Sequence, residues 1–325
     1  MKTDLLAALD GLPNFHLIDQ VTPRTFLSGQ IKNGKGQPGK SCSSSLLHRI
    51  GSDAIIVIPD FSTVLSMNRD DRGAVLADMR RIYDGQLRKE FGTDDQVPEW
   101  RGRATFAVAT TDEVDRHYSV FQTLGERFVM ARWHRPGGVE AALRAMNQDR
   151  ERGKRDLSDA VHALLLGLPD LEPELGPEMQ VRVANLAEFA VRGRTHIPRE
   201  GNNKTIIYVP EPEAATRLSQ QLAQLTKGSA LLAGRATPNE EDYALTVRVA
   251  FDCIPGTRRR VLDCLTQGAD LDRSGLPSST RTYAVQDLKA VGLMLDDDRT
   301  RRLSESAAEL LRAANIPVHE MSPLP

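Results

Sequence analysis

The sequence predicts an α/β protein with a parallel sheet up to about residue 135, a mainly helical region to about residue 250, and a separate C-terminal unit. Two short apolar runs, 54–58 and 104–109, flank an amphipathic helical stretch at 70–83. Apolar strands that alternate with helices are typical of a parallel sheet with helices on its faces. After residue 138 the apolar residues recur at helical spacing between joins rich in Gly and Pro.

Composition limits the class of protein. The chain has 325 residues, of which 40% are hydrophobic and 26% are charged, and its formal net charge is -2. This length suggests about two to three domains, and the charge argues against wholesale nonspecific binding of nucleic acid but leaves a local basic face open. Three cysteines, Cys42, Cys253 and Cys264, lack the spacing of a zinc site or a disulfide framework.

The apolar runs also bear on location. None approaches the ~20 residues that a membrane-spanning helix needs, and acids at positions 4 and 10 interrupt the apolar core that a signal peptide requires. We therefore expect a cytoplasmic protein with no membrane partner.

In the first part, hydrophobic periodicity predicts these elements in chain order: a Leu-rich helix that stops at 11–14, a short strand at 16–21, a buried strand at 54–58, a helix at 70–83, hairpin arms at 85–90 and 99–103, a second buried strand at 104–109 and a third at 128–133. The middle part is predicted to contain helices at 139–147, 157–166, 179–191, 214–232 and 240–250, with a strand-like insertion at 205–209. The last 75 residues are predicted to form helices at 254–265, 278–290 and 304–314, with two short strands at 292–295 and 300–303.

One motif suggests a specific function. Residues 34–41, GKGQPGKS, fit the phosphate-binding pattern G-x-x-x-x-G-K-[ST], which works when a buried strand ends at the first glycine and a helix starts at the Lys-Ser pair. The preceding residues, 25–33, are too polar for a central parallel strand. We interpret the motif as a solvated loop. The alternative, a genuine phosphate loop, requires an apolar strand that ends at Gly34 and runs parallel to 54–58.

Four stretches in order carry a family resemblance: IIVIPDF at 55–61, SMNRDDR at 66–72 leading into LADM at 76–79, AVATT at 107–111 and LGERF at 124–128. Together they resemble the second half of an AAA+ ATPase core, with the minichromosome-maintenance-like members of bacterial mobile elements closest in pattern. The resemblance implies a truncated α/β P-loop NTPase-like core at 1–135, a helical lid at 136–250 and a winged helix-turn-helix at 251–325. It further implies an ATP-dependent, DNA-associated, helicase-like subunit that forms a homo-oligomeric ring when full length.

The resemblance assigns the cofactors to the start of the chain. In such a core the phosphate loop lies one helix before the strand at 16–21, where Lys2 and Thr3 look like the tail of G-x-x-x-x-G-K-T. Lys2 would contact the β and γ phosphates of ATP, and Thr3 would hold Mg²⁺. The glycine cradle is then expected upstream, so the chain would start within the phosphate loop, as a truncation or a natural remnant. We expect binding of ATP and Mg²⁺ by the chain as given to be weak or absent.

Catalytic roles follow from the same resemblance. Asp60 stands at the end of a buried strand, where it would join the Mg²⁺ shell, but one acid of the family's Asp-Glu pair is absent. Thr110 or Thr111 stands where the family positions the attacking water. Arg127 matches the arginine finger that acts on a neighbour's nucleotide, and Arg217 matches the second sensor.

The nucleic-acid contacts implied by the resemblance fall on two elements. A basic hairpin matches the family's pore hairpin through Arg88, Lys89, Arg101 and Arg103. In the C-terminal unit, the helix at 278–288 resembles a recognition helix, 293–303 resembles the wing, and the side chains that would reach DNA are Ser279, Thr280, Arg281 and Tyr283. Residues 251–325 nevertheless carry 10 Lys and Arg against 11 Asp and Glu. The alternative is therefore a non-catalytic winged-helix DNA-binding or assembly protein with a degenerate ATPase core.

Overall fold

The computed structural model describes residues 2–27, 31–32, 42–43, 45–90, 98–116, 127–133, 137–147, 149–201, 204–295 and 301–319. The chain divides into two compact units. The first unit comprises Met1–Arg127 and Trp133–Gly167, and the second comprises Phe128–Arg132 and Leu168–Pro325. Among the described helices, none combines the length and the apolar character that crossing a membrane requires.

The first unit contains, in chain order, α1 (Lys2–Ala7), β1 (Phe15–Leu17), β2 (Ile31–Lys32), β3 (Cys42–Ser43), α2 (Leu46–Ile50), β4 (Asp53–Ile58), α3 (Ser62–Leu65), α4 (Arg69–Tyr83), β5 (Gln86–Arg88), β6 (Glu99–Arg101), β7 (Arg103–Val108), α5 (Glu113–Arg116), α6 (Val139–Asn147) and α7 (Arg150–Leu166). The described part of this unit is thus a mixture of strands and helices, as the alternating pattern predicts.

A three-stranded parallel sheet forms the centre of the first unit. Its strand order is β1-β4-β7, and β4 pairs in parallel with both neighbours. The central strand is the most deeply covered, because Ile56, Val57 and Ile58 expose at most 1% of their surface. The prediction of a parallel sheet with helices around it is confirmed at this level of description.

Helix α4 shows how the local sequence fixes an element beside the sheet. The Asn68 side chain accepts hydrogen bonds from the N–H groups of Asp70 and Asp71, at 3.1 and 3.0 Å, and so caps the helix start. Apolar side chains at helical spacing are buried on one face, namely Val75, Leu76, Met79 and Ile82. The helix predicted at 70–83 is confirmed.

The segment around GKGQPGKS differs from a phosphate loop on both flanks. Strand β2, before it, pairs antiparallel with β3, after it, and the three-stranded sheet does not contain β2. The next helix, α2, starts at Leu46 rather than at Lys40. Residues 34–41 themselves lie outside the described part. The described flanks therefore lack the parallel strand that a genuine phosphate loop requires.

The predicted third buried strand, 128–133, is wrong. These residues belong to no helix or strand of the described chain. The Met130 N–H donates to Cys253 Sγ at 3.3 Å, and the Arg132 N–H donates to Asp252 Oδ2 at 2.8 Å. Because side chains of the second unit take these N–H groups, residues 128–132 form part of that unit instead of a sheet.

The second unit contains, after Phe128–Arg132, α8 (Pro177–Arg194), β8 (Arg199–Glu200), β9 (Thr205–Ile206), α9 (Thr216–Leu232), α10 (Glu240–Asp252), α11 (Gly256–Thr266), a 3₁₀ turn (Leu271–Ser274), α12 (Ser278–Ala290) and α13 (Glu305–Ala313). Helix α9 packs against α8 and α10, α13 packs against α8, and α12 packs against α11. One hydrophobic core runs through the residues predicted as lid and those predicted as winged helix.

The helices predicted in the second unit are present, whereas its strands are shorter than predicted. The strand-like run at 205–209 keeps only Thr205–Ile206, which pairs antiparallel with Arg199–Glu200. The two strands predicted at 292–295 and 300–303 reduce to one antiparallel bridge, between Met294 and Leu303. Residues 296–300 lie outside the described part.

A glycine between β6 and β7 allows a close approach of two backbones. A Cβ added at Gly102 would overlap the Ser52 carbonyl oxygen and lie 2.7 Å from the Trp100 ring. The Trp100 indole cannot move freely, because its N–H donates to the Gly51 carbonyl at 2.7 Å.

We therefore expect Gly102→Ala to destabilise the first unit by about 2 to 3 kcal/mol through overpacking. Urea unfolding at equilibrium measures this. Gly73→Ala is the matched control, since Gly73 lies in α4 with nothing within 4 Å of an added Cβ, and it should stabilise by about 1 kcal/mol. A Gly102→Ala protein as stable as the Gly73→Ala protein would contradict the packing.

Candidate functional site

The carboxyl ends of the three parallel strands meet at one edge of the sheet, where open α/β sheets bind their ligands. Asp19 follows β1, Asp60 follows β4 and Thr110 follows β7. The Phe61 N–H donates to the Ala109 carbonyl at 2.7 Å, so the turns after β4 and β7 are joined. Polar side chains from neighbouring strands therefore share this carboxyl edge.

Asp60 is exposed at this edge and holds its own turn. Its Oδ1 atom accepts from the Ser62 N–H at 3.0 Å, and its carbonyl oxygen accepts from the Thr63 hydroxyl at 2.9 Å. Within the described residues, Oδ2 of Asp60 has no protein partner. The turn therefore fixes the carboxylate while one of its oxygen atoms is available to a ligand.

The predicted phosphate-binding lysine also reaches this edge. The Lys2 ammonium donates a hydrogen bond to the Thr110 carbonyl oxygen, so the start of α1 lies at the carboxyl end of β7. The Thr110 hydroxyl donates to the Thr111 carbonyl at 3.4 Å, and Thr3 is exposed. The structure thus brings Lys2 and Thr110 together, on the turn that is joined to the one carrying Asp60.

No group of three or more His, Cys, Asp or Glu side chains suited to a metal occurs in the described ranges. Mg²⁺ at nucleotide sites normally takes only one or two protein oxygens and completes its shell with water and phosphate. The Asp60 carboxylate and the Thr3 hydroxyl are donors of that chemical type.

Arg127 lies away from the carboxyl edge. Its guanidinium donates to both carboxylate oxygens of Asp84, at 3.0 and 2.6 Å, and its side chain is 13% exposed. Asp84 follows α4 and precedes Gly85, whose carbonyl accepts from Gly102 at the amino end of β7. Within one chain, Arg127 is therefore not brought to Lys2 and Asp60. Arg217 lies in the first turn of α9, half-buried in the second unit.

The predicted pore hairpin is present as β5 and β6, paired antiparallel, and its tip at 91–97 lies outside the described part. Three of its cations have a carboxylate nearby, in the pairs Arg88–Glu90 at 3.4 Å, Arg101–Glu99 at 2.5 Å and Arg103–Asp53 at 3.3 Å. All three arginine side chains remain more than half exposed, where such pairs contribute little to stability.

Lys89, the fourth cation of this hairpin, is held in place by its contacts. Its ammonium pairs with Asp78 of α4 and donates to the Pro23 carbonyl at 2.9 Å, and its side chain is 21% exposed. Burial raises the pKa of the Asp78 carboxyl, while the Lys89 charge opposes that rise. Lys89 therefore links the end of β5 to α4, and its ammonium is engaged by protein groups instead of being available to DNA.

The predicted recognition helix is α12, and its polar residues differ in availability. Ser279 is exposed and Thr280 is half-buried, whereas Arg281 pairs with Asp272 of the 3₁₀ turn. The Tyr283 ring is covered by two cations of the β8–β9 hairpin, Arg199 and Lys204.

A single carboxylate organises the surroundings of α12. Asp287 accepts from Arg199 at 2.6 Å on Oδ1 and from Arg258 at 2.9 Å on Oδ2. Arg258 also donates to the carbonyl oxygens of Gly193 and Thr195 at the end of α8. Since Arg258 is buried, the carboxylate compensates a charge that would otherwise be costly to bury.

The sequence analysis did not identify two features of these sites. Asp19 is the first acid after a strand, which is a usable signal once β1 is placed. The β8–β9 hairpin is indicated by GNNK at 201–204 before a β-branched run, a pattern of turn residues followed by a strand.

The predicted residues that come together therefore form two groups. One group, at the carboxyl edge of the first unit, contains Lys2, Asp60 and Thr110. The other, in the second unit, places Tyr283 of α12 against a cationic hairpin. Comparison with known proteins finds no family model that matches the chain and no curated protein that matches it.

His196 gives the second unit a defined pH response. Burial lowers the pKa of its imidazole, the nearby Arg258 charge lowers it further, and Asp287 opposes the shift. Because the folded pKa lies below the unfolded value of about 6.5, the unfolded chain binds the proton more readily. The free energy of unfolding should therefore fall as the pH decreases below about 6.5 towards the folded pKa.

This response is measured by urea unfolding between pH 7.5 and pH 5. In His196→Gln, the decline over that window should be smaller than in the wild type. Equal declines in the two proteins would show that His196 makes no contribution.

Proposed function

We propose that residues 1–135 form the ATP-binding core of an AAA+-type ATPase, and that the chain is a DNA-associated, helicase-like subunit in which residues 136–250 supply a helical lid and residues 251–325 a winged helix. The observation that carries this proposal is the contact of Lys2 with Thr110, on the edge of the sheet where Asp60 follows the central strand. A cytoplasmic location and a homo-oligomeric ring accompany the proposal.

The residues at the carboxyl edge suit a nucleotide phosphate chemically. The Lys2 ammonium supplies a positive charge for phosphate oxygens, and an amine contacts phosphate as a point charge without a fixed geometry. The free oxygen of Asp60 fits the shell of a magnesium ion, which the phosphates would share. Thr110 and Thr111 offer hydroxyl groups beside them. Bound ATP·Mg²⁺ would supply a γ-phosphoryl group for transfer to water, with ADP as the leaving group.

Arg127 has a different place in this proposal. It lies at the end of α4, tied to Asp84, so it would act on the nucleotide of a neighbouring subunit in a ring and not on that of its own chain. A guanidinium held by a carboxylate is already oriented, which suits a group that stabilises charge in a transition state.

A second candidate function is a non-catalytic winged-helix protein that binds DNA or assembles with a partner. Two observations favour it. The Lys2 ammonium already has a protein partner in the Thr110 carbonyl, and Asp60 is followed by Phe61 rather than by a second acid. In this case the carboxyl edge would only stabilise the sheet, and α12 would carry the function.

Calorimetric titration with ATP and Mg²⁺ separates the two candidates. Asp60→Asn retains an oxygen that can accept from Ser62 but loses the charge, so we expect Mg²⁺-dependent affinity to fall roughly tenfold, the value of one contact to a charged group. Asp53→Asn is the matched control, because Asp53 begins the same strand at the opposite edge; its affinity should remain that of the wild type.

Equal losses in the two variants would favour the non-catalytic candidate. If instead Lys40→Ala abolishes binding while Asp60→Asn does not, the nucleotide is held by GKGQPGKS. Phosphate release then tests Arg127: Arg127→Lys keeps the positive charge but cannot donate to both carboxylate oxygens of Asp84 as the guanidinium does, and it should lower turnover without changing ATP affinity.

A further inference from the structure

The β8–β9 hairpin lies against α12 and is fixed there by one arginine. Arg199 donates to Asp287 at 2.6 Å, to Gln286 Oε1 at 3.0 Å and to the Tyr283 carbonyl at 3.3 Å. The same guanidinium donates to the Lys204 carbonyl at 2.7 Å. Arg199 therefore binds both the surface of α12 and the backbone of Lys204, which precedes β9 in the same hairpin.

Lys204 is placed in an unusual way. Its backbone is left-handed, with φ of 48°, a conformation that side-chain-bearing residues adopt only at a cost unless the surroundings enforce it. Its ammonium lies 5.1 Å from the centre of the Tyr283 ring, and its surface is exposed. In the described part of the chain, no carboxylate pairs with this ammonium.

Tyr283 offers a second group at the same place. Its ring has the Arg199 guanidinium carbon at 5.1 Å and the Lys204 ammonium at 5.1 Å from its centre. These cations occupy the ring surface on which a base would stack. The Tyr283 hydroxyl makes no hydrogen bond within the described residues, although a phenol normally finds a partner or water.

We propose that the Lys204 ammonium and the Tyr283 hydroxyl together bind one phosphate of a DNA backbone. This inference deepens the proposed DNA binding of the second unit and rests on it. It adds the β8–β9 hairpin to the DNA surface, and it makes Tyr283 a phosphate contact instead of a base contact. Among the described residues, neither the ammonium nor the hydroxyl has a protein acceptor. A cation and a hydroxyl donor are complementary to an anionic oxygen, and such contacts position a protein on DNA without reading sequence.

The β8–β9 hairpin also supplies positive charge, of which residues 251–325 have no excess. Residues 251–325 hold no excess of basic residues, whereas Arg199 and Lys204 come from an earlier part of the chain and lie beside α12. The carboxylate nearest to Arg199, that of Asp287, is already shared with Arg258. The positive charge over the Tyr283 ring therefore comes from the β8–β9 hairpin and not from residues of α12.

The test is fluorescence anisotropy of a labelled 20-base-pair duplex with the full chain, at salt concentrations from about 50 to 200 mM. Lys204→Gln should make the slope of log K against log salt shallower by about 0.9, the value of one lost phosphate contact. Tyr283→Phe keeps the ring under the two cations and removes only the hydroxyl, so affinity should fall roughly tenfold with a smaller change in the salt slope.

Lys227→Gln is the matched control, because it removes the same charge from α9 of the same unit, and it should bind DNA as the wild type does. Equal effects of Lys204→Gln and Lys227→Gln, wild-type affinity in Tyr283→Phe, or no binding of the duplex by the wild type would each overturn the inference. ATP titration of the same preparations reports on the carboxyl edge independently, so failure of one proposal does not imply failure of the other.

Discussion

Parallel pairing of the central strand β4 with both neighbours is the constraint on which the candidate nucleotide site depends. The register sets Leu17 opposite Val57 and Ile58 opposite Val108, so all three strands end at one edge. Burial of an aliphatic side chain contributes about 1.5 to 3 kcal/mol, and β4 carries several that are fully buried. The carboxyl edge can therefore hold exposed polar groups such as Asp60, because the strand beneath them is firmly fixed.

In the second unit, one shared carboxylate connects α12 to two other parts of the chain. Asp287 receives Arg199 from the β8–β9 hairpin and Arg258 from α11, and Arg258 also reaches the end of α8. Removing the carboxylate would leave a buried arginine without compensation, which is more costly than the pair is stabilising. The orientation of α12, and hence any contact that it makes with DNA, follows from this arrangement.

Sequence reasoning succeeded where one local signal dominated. The apolar run of β4, the capped amphipathic pattern of α4 and the long helices of the second unit were all predictable, because burial and helical periodicity fix them. The run at 128–133 was apolar too, yet its N–H groups bond to Asp252 and Cys253, partners about 120 residues away that no local pattern reveals. Strand β1 ends at Leu17, before the predicted end at residue 21, although the Ile18 N–H still donates to the Val57 carbonyl at 2.9 Å.

For the candidate site too, some features could be predicted from the sequence and others could not. The positions of Asp60, Thr110 and Thr111 at strand ends could be predicted from the apolar runs that precede them. The contact of Lys2 with Thr110 spans 108 residues, and the covering of Tyr283 by Arg199 and Lys204 joins a hairpin to a distant helix. Neither contact can be inferred from the spacing of residues along the chain, so only the three-dimensional structure reveals them.

Hydrogen exchange of the full chain, followed by mass spectrometry with and without ATP·Mg²⁺, locates a bound nucleotide without any substitution. If the carboxyl edge binds the phosphates, peptides that cover 58–63 and 109–112 should exchange more slowly when the nucleotide is present. Protection confined to peptides that cover 34–41 would contradict the assignment of ATP to this edge.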